Sequence, residues 1–543
     1  MTPISVEQPP ELSLRPQVLQ SKATSTESHE NEWYRQSFDG YTITEEPLYA
    51  KRPLRMIIIG AGAAGLEIAY KAERQLENIT FQIYEKNNDW SFWRNPKWSA
   101  YYSGAQEIWQ YLKDFAVKHD LEKYVAFEHK VKHAKWNEVE GVWEVTIQKP
   151  NGEMFVDKGE ILASCHGVLN TWKLPDIPGI SHYKGFGAKF AAPGGVNFKY
   201  TEDQKESFKN DPESLNKYCR DIEGELNKRF TLMHLNSVDQ KQSREYVAAS
   251  MREKLANDPL LAKHLIPDFA LGCRRMTPGS DYLQSLTRDN VEVITDSAAS
   301  LTEDGIIDGN GKETKADVII CATVFETTKP SYRIIGRDNR NLGEEWGEFP
   351  KAYMSIMNDG FPNLFCFIGP NGPGSHGSIL PVIEWHTRYM FKVISHMQRT
   401  CIKALSPKAS ASAEFSTHTH ELLKRTAWST SCSSWFKNGK RHGPVTAIWP
   451  GSRMHWFESL KEPRYEDFDV EYTGNRFAYL GNGYTDAELD PEANPVWYFD
   501  VLRHELELGK KAYDVHADVM ICKEEQTKYV HNGTNSVNGA EPK

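Results

Sequence analysis

The chain has 543 residues, of which 39% are hydrophobic and 25% are charged. These shares are typical of globular proteins and exclude a largely disordered or fibrous chain. Its 64 lysines and arginines are outnumbered by 74 aspartates and glutamates, which gives a net charge of −10, and no long basic run occurs. The composition therefore argues against a nucleic-acid-binding protein.

The cellular location of the protein is indicated by its apolar runs, its termini and its cysteines. The longest apolar run, Met56 to Leu66, is interrupted by glycines and is far shorter than the roughly 20 residues that span a bilayer. Polar residues 1–50 predict a flexible arm, and 524–543 predict a flexible tail. The 8 cysteines include no CxxC pair. We therefore expect reduced thiols, no disulfide scaffold, no transmembrane segment and a cytoplasmic protein.

Strand and helix signals alternate along the chain. Apolar or alternating runs predict strands at 55–60, 80–84, two within 125–147, 160–165, 291–294 and 316–322. Helical patterns are found at 63–75, at 106–119 and in the charged stretch 200–261. A Ser/Ala-rich stretch at 406–416 predicts a linker. The alternation of strands and helices predicts an α/β fold.

A glycine motif lies between the first predicted strand and the first predicted helix. It consists of Gly60, Gly62 and Gly65 in the spacing GxGxxG, with Ala63 and Ala64 between the last two. The first glycine allows a tight turn, the second lets the backbone approach a pyrophosphate, and the third lets helix and strand pack closely. The helix N-terminus adds N–H groups and a positive dipole end. These five residues are predicted to bind a dinucleotide.

An acidic residue completes this unit. Glu85 follows the next predicted strand, twenty-five positions after Gly60, where it can accept hydrogen bonds from a ribose diol. Because a carboxylate repels a 2′-phosphate, it favours FAD or NAD over NADP. No second GxGxxG occurs, since the glycines of 305–311 and 369–377 have other spacings.

Further segments match the motifs of one enzyme family. They are Tyr84–Lys86, Gly272–Leu283, Cys321–Thr327, Phe367–Gly377, Ser433–Lys437 and Trp449–Ser452. On these segments, residues 53 to 500 resemble the Baeyer–Villiger flavin monooxygenases, and most of all the fungal FAD-binding monooxygenases of secondary-metabolite pathways. The resemblance implies a Rossmann-like FAD domain and a second, NADP-type domain. It also implies FAD and NADPH as cofactors, with molecular oxygen and a polyketide-like ketone as substrates.

The resemblance also implies roles for individual residues. Arg275 matches the family's catalytic arginine, whose permanent charge stabilises the negative charge that develops on the reacting oxygen. Arg274 matches a basic residue that contacts the NADP phosphate, and Trp435 a tryptophan near the nicotinamide ribose. Lys86 and Asn371 lie in segments that contact FAD. A non-functional role remains open for each of them. The arginines would then be a solvated pair on a loop, Trp435 a tryptophan packed in the core, and Asn371 and His376 part of a polar loop without catalysis.

Two family segments are missing from the chain. About twenty residues are absent after Asp89, including an aspartate expected to orient the arginine. Near Gly185 the second glycine-rich βαβ is absent, and Lys189 and Pro193 stand where the family has His and Trp. We therefore predict a truncated NADP-type domain with a helical insertion. The predicted division is 1–50 arm, 51–182 FAD domain, 186–320 remnant NADP-type domain, 321–405 second part of the FAD domain, 406–523 C-terminal region and 524–543 tail.

Three functions fit these features. The first is an FAD-dependent monooxygenase, and the second is a catalytically impaired flavoprotein remnant. The third is a flavin oxidase or dehydrogenase that does not use NADPH. His418 and His420 lack a third metal ligand nearby in sequence, so no metal site is predicted. No nucleophile motif indicates a hydrolase, and no partner protein is indicated.

Overall fold

A computed structural model describes residues 40–88, 98–100, 103, 105–167, 171–173, 177–178, 186–188, 199–276, 282–321, 324–327, 329–347, 349–374 and 377–501. The helices are α1 Ala63–Gln75, α2 Ala105–Lys118, α3 Glu202–Asn210, α4 Pro212–Lys228, α5 Val238–Lys254, α6 Pro259–Leu265, α7 Tyr282–Ser285, α8 Leu342–Trp346, α9 Ile379–Arg399, α10 Ala409–Leu423, α11 Arg453–Ser459 and α12 Asp486–Leu489. The strands are β1 Leu54–Ile59, β2 Ile79–Tyr84, β3 Val125–Ala126, β4 Lys130–Asn137, β5 Val142–Gln148, β6 Met154–Gly159, β7 Ile161–Ser164, β8 Thr171–Lys173, β9 Phe186–Ala188, β10 Ala298–Leu301, β11 Gly305–Asp308, β12 Glu313–Lys315, β13 Val318–Ile320, β14 Val324–Glu326, β15 Arg333–Ile335, β16 Leu364–Cys366, β17 Ile402–Pro407 and β18 Phe468–Tyr472.

A five-stranded sheet with the order β16-β7-β1-β2-β3 lies at the centre of the molecule. All of its neighbouring strands are parallel. Met56, Ile57 and Ile58 of β1 and Ile161 and Leu162 of β7 are fully buried. A strand that is covered on both faces requires such a continuous apolar run. The predicted α/β fold and its first buried strands are therefore confirmed, with boundaries shifted by about one residue.

The two faces of this sheet carry different layers. Met56 and Ile58 share a buried cluster with residues of α1, α2 and α9. Ile57 and Ile59 face the other way and pack with Trp143 of a second sheet, whose order is β15-β4-β5-β6. The alternation follows from the two-residue period of a strand. The result is three layers: helices, the parallel sheet and the second sheet.

The charged stretch predicted to be helical forms α3 to α6. Each of these helices begins at a polar capping residue. At α4, Asp211 accepts hydrogen bonds from the backbone N–H groups of Glu213 and Ser214, at 3.0 and 3.1 Å. Pro212 occupies the first helical position, where its missing N–H costs nothing. The other caps are Thr201, Ser237 and Asp258.

A smaller parallel pair, β9 and β13, lies in the region predicted to be the remnant NADP-type domain. Val318 and Ile320 of β13 remain 48% and 50% exposed. β13 is followed by β14, which pairs with β8, rather than by a helix. An antiparallel sheet of β10, β11 and β12 precedes β13 in the chain. The predicted domain division as a whole stays a prediction.

Two predicted elements are wrong. Residues 291–294 form no strand, and Val291 and Ile294 are 36% and 40% exposed, so no neighbouring layer buries their side chains. The stretch 406–416 is not a linker, because it contains the end of β17 and most of α10. Alanine is the strongest helix former, and the small side chains of Ser412 and Ser416 are buried where α10 packs on the molecule.

The expectation that all thiols are reduced is also wrong, because Cys273 and Cys432 form a disulfide. The two residues are 159 positions apart, and folding brings their Cα atoms to 6.4 Å, within the range that a disulfide bridges. Sequence spacing carries no sign of this pairing. Within the described part of the chain, no helix is long and apolar enough to cross a membrane.

Candidate active site

The carboxyl ends of four strands meet at one edge of the five-stranded sheet. In spatial order β2 is followed by Glu85, β1 by Gly60, β7 by Cys165 and β16 by Phe367. The chain passes from β1 to β2 on one side and later pairs β7 on the other, so the connections diverge between β1 and β7. Open α/β sheets bind their ligands in the crevice at such a point.

The turn after β1 has the geometry that the glycine motif predicts. Gly60 has a φ of +104°, a conformation that favours glycine. A Cβ at Gly60 would lie 2.5 Å from the carbonyl oxygen of Cys165. A Cβ at Gly65 would lie 2.1 Å from the carbonyl oxygen of Gly60. The two glycines therefore let β1, β7 and α1 approach one another.

The N-terminus of α1 faces this turn without a side-chain cap. Gly62 is the N-cap residue, no side chain bonds to the first turn, and that turn contains no acidic residue. The N–H groups of Ala63, Ala64 and Gly65 have no partner within the helix. Such an end, with its positive dipole, suits a pyrophosphate. The observed turn and helix therefore fit a dinucleotide cofactor, and the predicted contacts themselves stay predictions.

Glu85 lies over the same turn. Its side chain is buried, and its Oε2 accepts a hydrogen bond from the backbone N–H of Ala61 at 2.9 Å. Its Oε1 accepts one from the N–H of Asn87 at 2.9 Å. A carboxylate has about four acceptor sites, so capacity remains for the hydroxyls of a ribose. Lys86 beside it is exposed.

A cavity opens on the β7 and β16 side of this edge. It is lined by His166 and Gly167 after β7, by residues 366–370 after β16, and by Trp435 from the C-terminal region. Lys329 adds a positive charge, and the described lining residues include no carboxylate. A dinucleotide with one ribose at Glu85 and its pyrophosphate at α1 would extend its other half into this cavity.

Asn371 and Trp435 have different positions at this cavity. Trp435 lines it, and its predicted place near the nicotinamide ribose stays a prediction. Asn371 is buried, and its side-chain amide donates to the carbonyl oxygens of Val445 and Ile448, at 3.2 and 3.1 Å. Both amide hydrogens of Asn371 therefore hold two protein loops together, and a contact of this residue with FAD stays a prediction.

The arginine pair is not part of the described lining of the cavity. Arg274 and Arg275 are exposed and do not belong to the described lining residues. The guanidinium of Arg274 lies over the ring of Phe269, 5.6 Å from its centroid. The preceding residue, Cys273, is bonded to Cys432, three positions before Trp435. The structure thus links the two predicted segments covalently, and the catalytic role of Arg275 stays a prediction.

A buried lysine strengthens this link. Lys437 is 1% exposed, and its ammonium donates to the carbonyl oxygen of Arg441 at 3.0 Å and lies 3.9 Å from the Cys273 sulfur. Burial lowers the pKa of Lys437, and the nearby charges of Arg274 and Arg441 lower it further. Positive charge is therefore concentrated in the linked segments.

Sequence reasoning missed one group at this edge. His166 Nδ1 lies 2.9 Å from Ser164 Oγ, and that oxygen accepts a hydrogen bond from the Tyr332 hydroxyl at 2.8 Å. Burial, with a smaller effect of the Lys86 charge, lowers the pKa of His166 to about 4. A polar Ser-Cys-His run at the carboxyl end of a buried parallel strand is a signal that could have found it.

Other predicted features fall elsewhere. His376, Gly185, Lys189 and Pro193 lie outside the described residues. In the ranges that the structure describes, no group of three or more His, Cys, Asp or Glu side chains could hold a metal ion.

Comparisons with known proteins identify the family of this chain. The chain is 32% identical to the FAD-binding monooxygenase stcW of Emericella nidulans, covering 84% of this chain and 93% of that protein. It is 30% identical to the FAD-binding monooxygenase moxY of Dothistroma septosporum, covering 85% and 88%. The chain belongs to the fungal FAD-binding monooxygenase family. A Baeyer–Villiger monooxygenase of Pseudomonas aeruginosa is 25% identical over 74% of this chain and 88% of its own.

Solved structures share the fold of this family member. Cyclohexanone monooxygenase from Rhodococcus sp. Phi1, bound to NADP+, superposes with a TM-score of 0.66 at 18% identity, covering 77% of this chain and 100% of the bacterial one. No family model matches the sequence. The predicted α/β architecture and the resemblance to the family are therefore confirmed.

Proposed function

We propose that this protein is an FAD-dependent monooxygenase that inserts one atom of molecular oxygen next to the carbonyl group of a polyketide-like ketone. The observation that carries the proposal is the continuity of one edge: the Gly60 turn, the uncapped α1 N-terminus and Glu85 lead into a cavity lined by Trp435. Membership in the FAD-binding monooxygenase family supports it. A cytoplasmic location belongs to the same proposal.

The residues of this site have defined roles in the proposed reaction. FAD supplies the redox chemistry that activates oxygen when it is bound. Backbone N–H groups at Ala63 and Ala64 bind the pyrophosphate, and Glu85 accepts hydrogen bonds from a ribose. The apolar wall of Phe367 and Ile368 excludes water from the cavity, which strengthens electrostatic interactions there.

Arg275 supplies the fixed positive charge in this proposal. A guanidinium stays charged at every working pH, and its fork of donors suits both a carbonyl oxygen and a second oxygen beside it. Because Arg275 is exposed and outside the lining, its segment must approach the cavity during turnover. The Cys273–Cys432 bond keeps the backbone of that segment beside Trp435.

A second candidate is a flavin oxidase or dehydrogenase reduced by its substrate or by a partner. The observation that favours it is that β13 leads into β14 rather than into a helix. NADPH binding in the manner of a dinucleotide fold requires such a helix. The remaining alternative is a catalytically impaired flavoprotein remnant, which would carry out neither reaction.

The experiment measures flavin content first and product second. The purified chain should be yellow and hold about one FAD per molecule. After anaerobic reduction by dithionite and mixing with oxygenated ketone, ester or lactone should form, with little hydrogen peroxide. Peroxide without ester, together with oxidised substrate, would support the oxidase or dehydrogenase. Colourless protein that takes up no added FAD would contradict both flavoenzymes.

A further inference from the structure

A hydrogen-bonded chain of three side chains forms part of the cavity wall, and the roles proposed above do not use it. Tyr332 donates its hydroxyl hydrogen to Ser164 Oγ at 2.8 Å, and Ser164 Oγ lies 2.9 Å from His166 Nδ1. Tyr332 and Ser164 are 6% and 1% exposed. The rings of Tyr332 and His166 also meet edge to face, with 5.9 Å between centroids. His166 lines the cavity.

The hydrogen bonds around Ser164 suit a neutral imidazole. Ser164 accepts from Tyr332, so its own single hydrogen needs an acceptor in this buried position. His166 Nδ1 is the acceptor at hydrogen-bond distance. With Ser164 donating to Nδ1, the ring is the neutral form that carries its hydrogen on Nε2. Burial supports the neutral form, because it lowers the pKa of His166 to about 4.

The groups around the imidazole favour the same state. Lys86 approaches from the end of β2 and opposes a second positive charge on the ring. Lys329 and Cys366 line the same cavity. Burial raises the pKa of the Cys366 thiol to about 12, so this thiol is uncharged. A protonated imidazole would be opposed by the Lys86 charge, and the described lining contains no carboxylate that would stabilise it.

The position of His166 follows from the order of the strands. A Cβ at Gly60 would lie 3.5 Å from the His166 Cα, so the residue adjoins the turn that faces the α1 N-terminus. Glu85 lies on the opposite side of β1, after β2. A dinucleotide that places one ribose at Glu85 and its pyrophosphate at α1 must carry its second half past the end of β7. His166 stands at that end and faces the cavity.

We propose that His166 contacts the ring system of bound FAD, and that Ser164 and Tyr332 are positioning residues that hold its imidazole neutral and in one orientation. The inference rests on the proposed FAD site. A neutral ring fixed by two buried hydroxyls supplies a polar contact whose charge does not change across physiological pH. The imidazole therefore makes the surroundings of the flavin polar without adding a group that gains or loses a proton during turnover.

The test compares three variants of the full chain. His166→Phe keeps a ring and removes both nitrogens, and Tyr332→Phe removes only the hydroxyl that begins the hydrogen-bonded chain. Tyr353→Phe is the matched control, since Tyr353 is also buried and donates its hydroxyl to Asp467 at 2.6 Å, but is not a lining residue. For each, FAD affinity, the visible absorption spectrum and the flavin midpoint potential are measured.

His166→Phe should weaken FAD binding about tenfold, as expected for one lost hydrogen bond, and should shift both the spectrum and the potential. Tyr332→Phe should shift them in the same direction by less, and Tyr353→Phe should leave them unchanged. If His166→Phe does not fold, His166→Gln replaces it with the same expected direction. Bound FAD with unchanged affinity, spectrum and potential in the histidine variant would overturn the inference. A wild-type chain that binds no FAD would instead overturn the proposed function, and this inference with it.

Discussion

The five-stranded sheet and the β9/β13 pair, the two all-parallel sheets among the described residues, differ in how completely they are covered by other elements. In the five-stranded sheet, β1 has a partner strand on either side, and layers on both faces leave Met56, Ile57 and Ile58 fully buried. In the β9/β13 pair, Val318 and Ile320 are 48% and 50% exposed. In the five-stranded sheet, β1 is followed by a glycine turn and a helix, whereas β13 of the smaller pair is followed by another strand.

The comparison shows what a dinucleotide site requires beyond parallel strands. Phosphate binding also requires a tight turn and a helix N-terminus after a strand, and among the described residues β13 leads into β14 instead. The smaller pair also leaves apolar side chains without a covering layer, which soluble monomers avoid over large areas. We therefore expect the five-stranded sheet to bind its cofactor independently of the smaller pair, and the following variants test that separation.

The largest effect is expected for a substitution in the glycine turn of the five-stranded sheet. Gly62→Val places a branched side chain in the path of the pyrophosphate and should yield colourless protein that no longer binds FAD. Gly224→Val is the matched control, because a Cβ at Gly224 in α4 meets nothing within 4 Å. Flavin absorbance after gel filtration is the measurement. Full flavin content in the Gly62 variant would contradict the assigned site.

The next largest effect concerns the arginine segment, which lies between β9 and β13 in the chain. Arg275→Ala should lower ester formation by about 10²–10³ while FAD stays bound, because removal of one preorganised donor costs that much. Arg275→Lys should restore little, since an ammonium lacks the fork of donors. Arg274→Ala should affect the use of NADPH rather than the oxygen-transfer step. Ester and hydrogen peroxide are measured together, and an unchanged ester yield in Arg275→Ala would contradict the assignment.

A smaller effect is expected for the disulfide that ties this segment to Cys432. Cys432→Ser should lower the free energy of unfolding by about 2–4 kcal/mol, the range for loss of one disulfide. Cys219→Ser, which removes a cysteine outside the disulfide, is the control. Urea unfolding with and without dithiothreitol measures the difference. Dithiothreitol should destabilise the wild type and leave Cys432→Ser unchanged, and equal stability of all forms would exclude the bond.

Acid should lower the free energy of unfolding through His386, which lies in the helix layer of the five-stranded sheet. This residue of α9 is fully buried, and burial lowers its pKa from 6.5 to about 4. Between those values the unfolded chain binds a proton that the folded chain does not. The contribution is therefore present above pH 6.5, and stability falls as the pH drops, by at most about 1.4 kcal/mol per pH unit. In urea unfolding from pH 7 to 4.5, His386→Leu should show a shallower decline than the wild type.

The smallest effect is expected for NADPH. A saturating ligand that binds only the folded state stabilises it by about 2.7 kcal/mol at a hundred times its Kd. We expect FAD to raise the melting temperature of the flavin-depleted chain and NADPH to leave it unchanged. A saturable shift with NADPH would show that the chain binds this dinucleotide without a second glycine turn.

Local patterns made the first sheet predictable. The continuous apolar run of β1, the glycine spacing and the acidic Glu85 are signals that lie within about thirty residues, and each depends on the conformation of its own segment. The structure agrees with them within one residue at β1 and α1. The family motifs extended the prediction to Trp435, which lines the cavity.

Features that depend on distant parts of the chain could not be predicted in the same way. Cys273 and Cys432 are 159 positions apart, and Tyr332 and Ser164 are 168 apart. Neither pair leaves a mark on its local sequence. The helix α10 was not predicted for a different reason: its serines favour loops in isolation, and the burial of Ser412 and Ser416 against the molecule depends on tertiary packing. The exposed position of Arg275 likewise depends on tertiary packing.

The pairing of β16 with β7 has a consequence for the synthesis of this protein. About 200 residues separate Ser164 from Leu364, and chains grow at about 5–20 residues per second. The outer edge of β7 therefore waits about 10–40 s on the ribosome before its partner strand exists. Throughout that time an apolar strand presents unpaired N–H and C=O groups, which invite pairing with other chains. The nascent protein is thus expected to need a chaperone over the span in which α3 to α8 are made, and slower translation there should lower its yield.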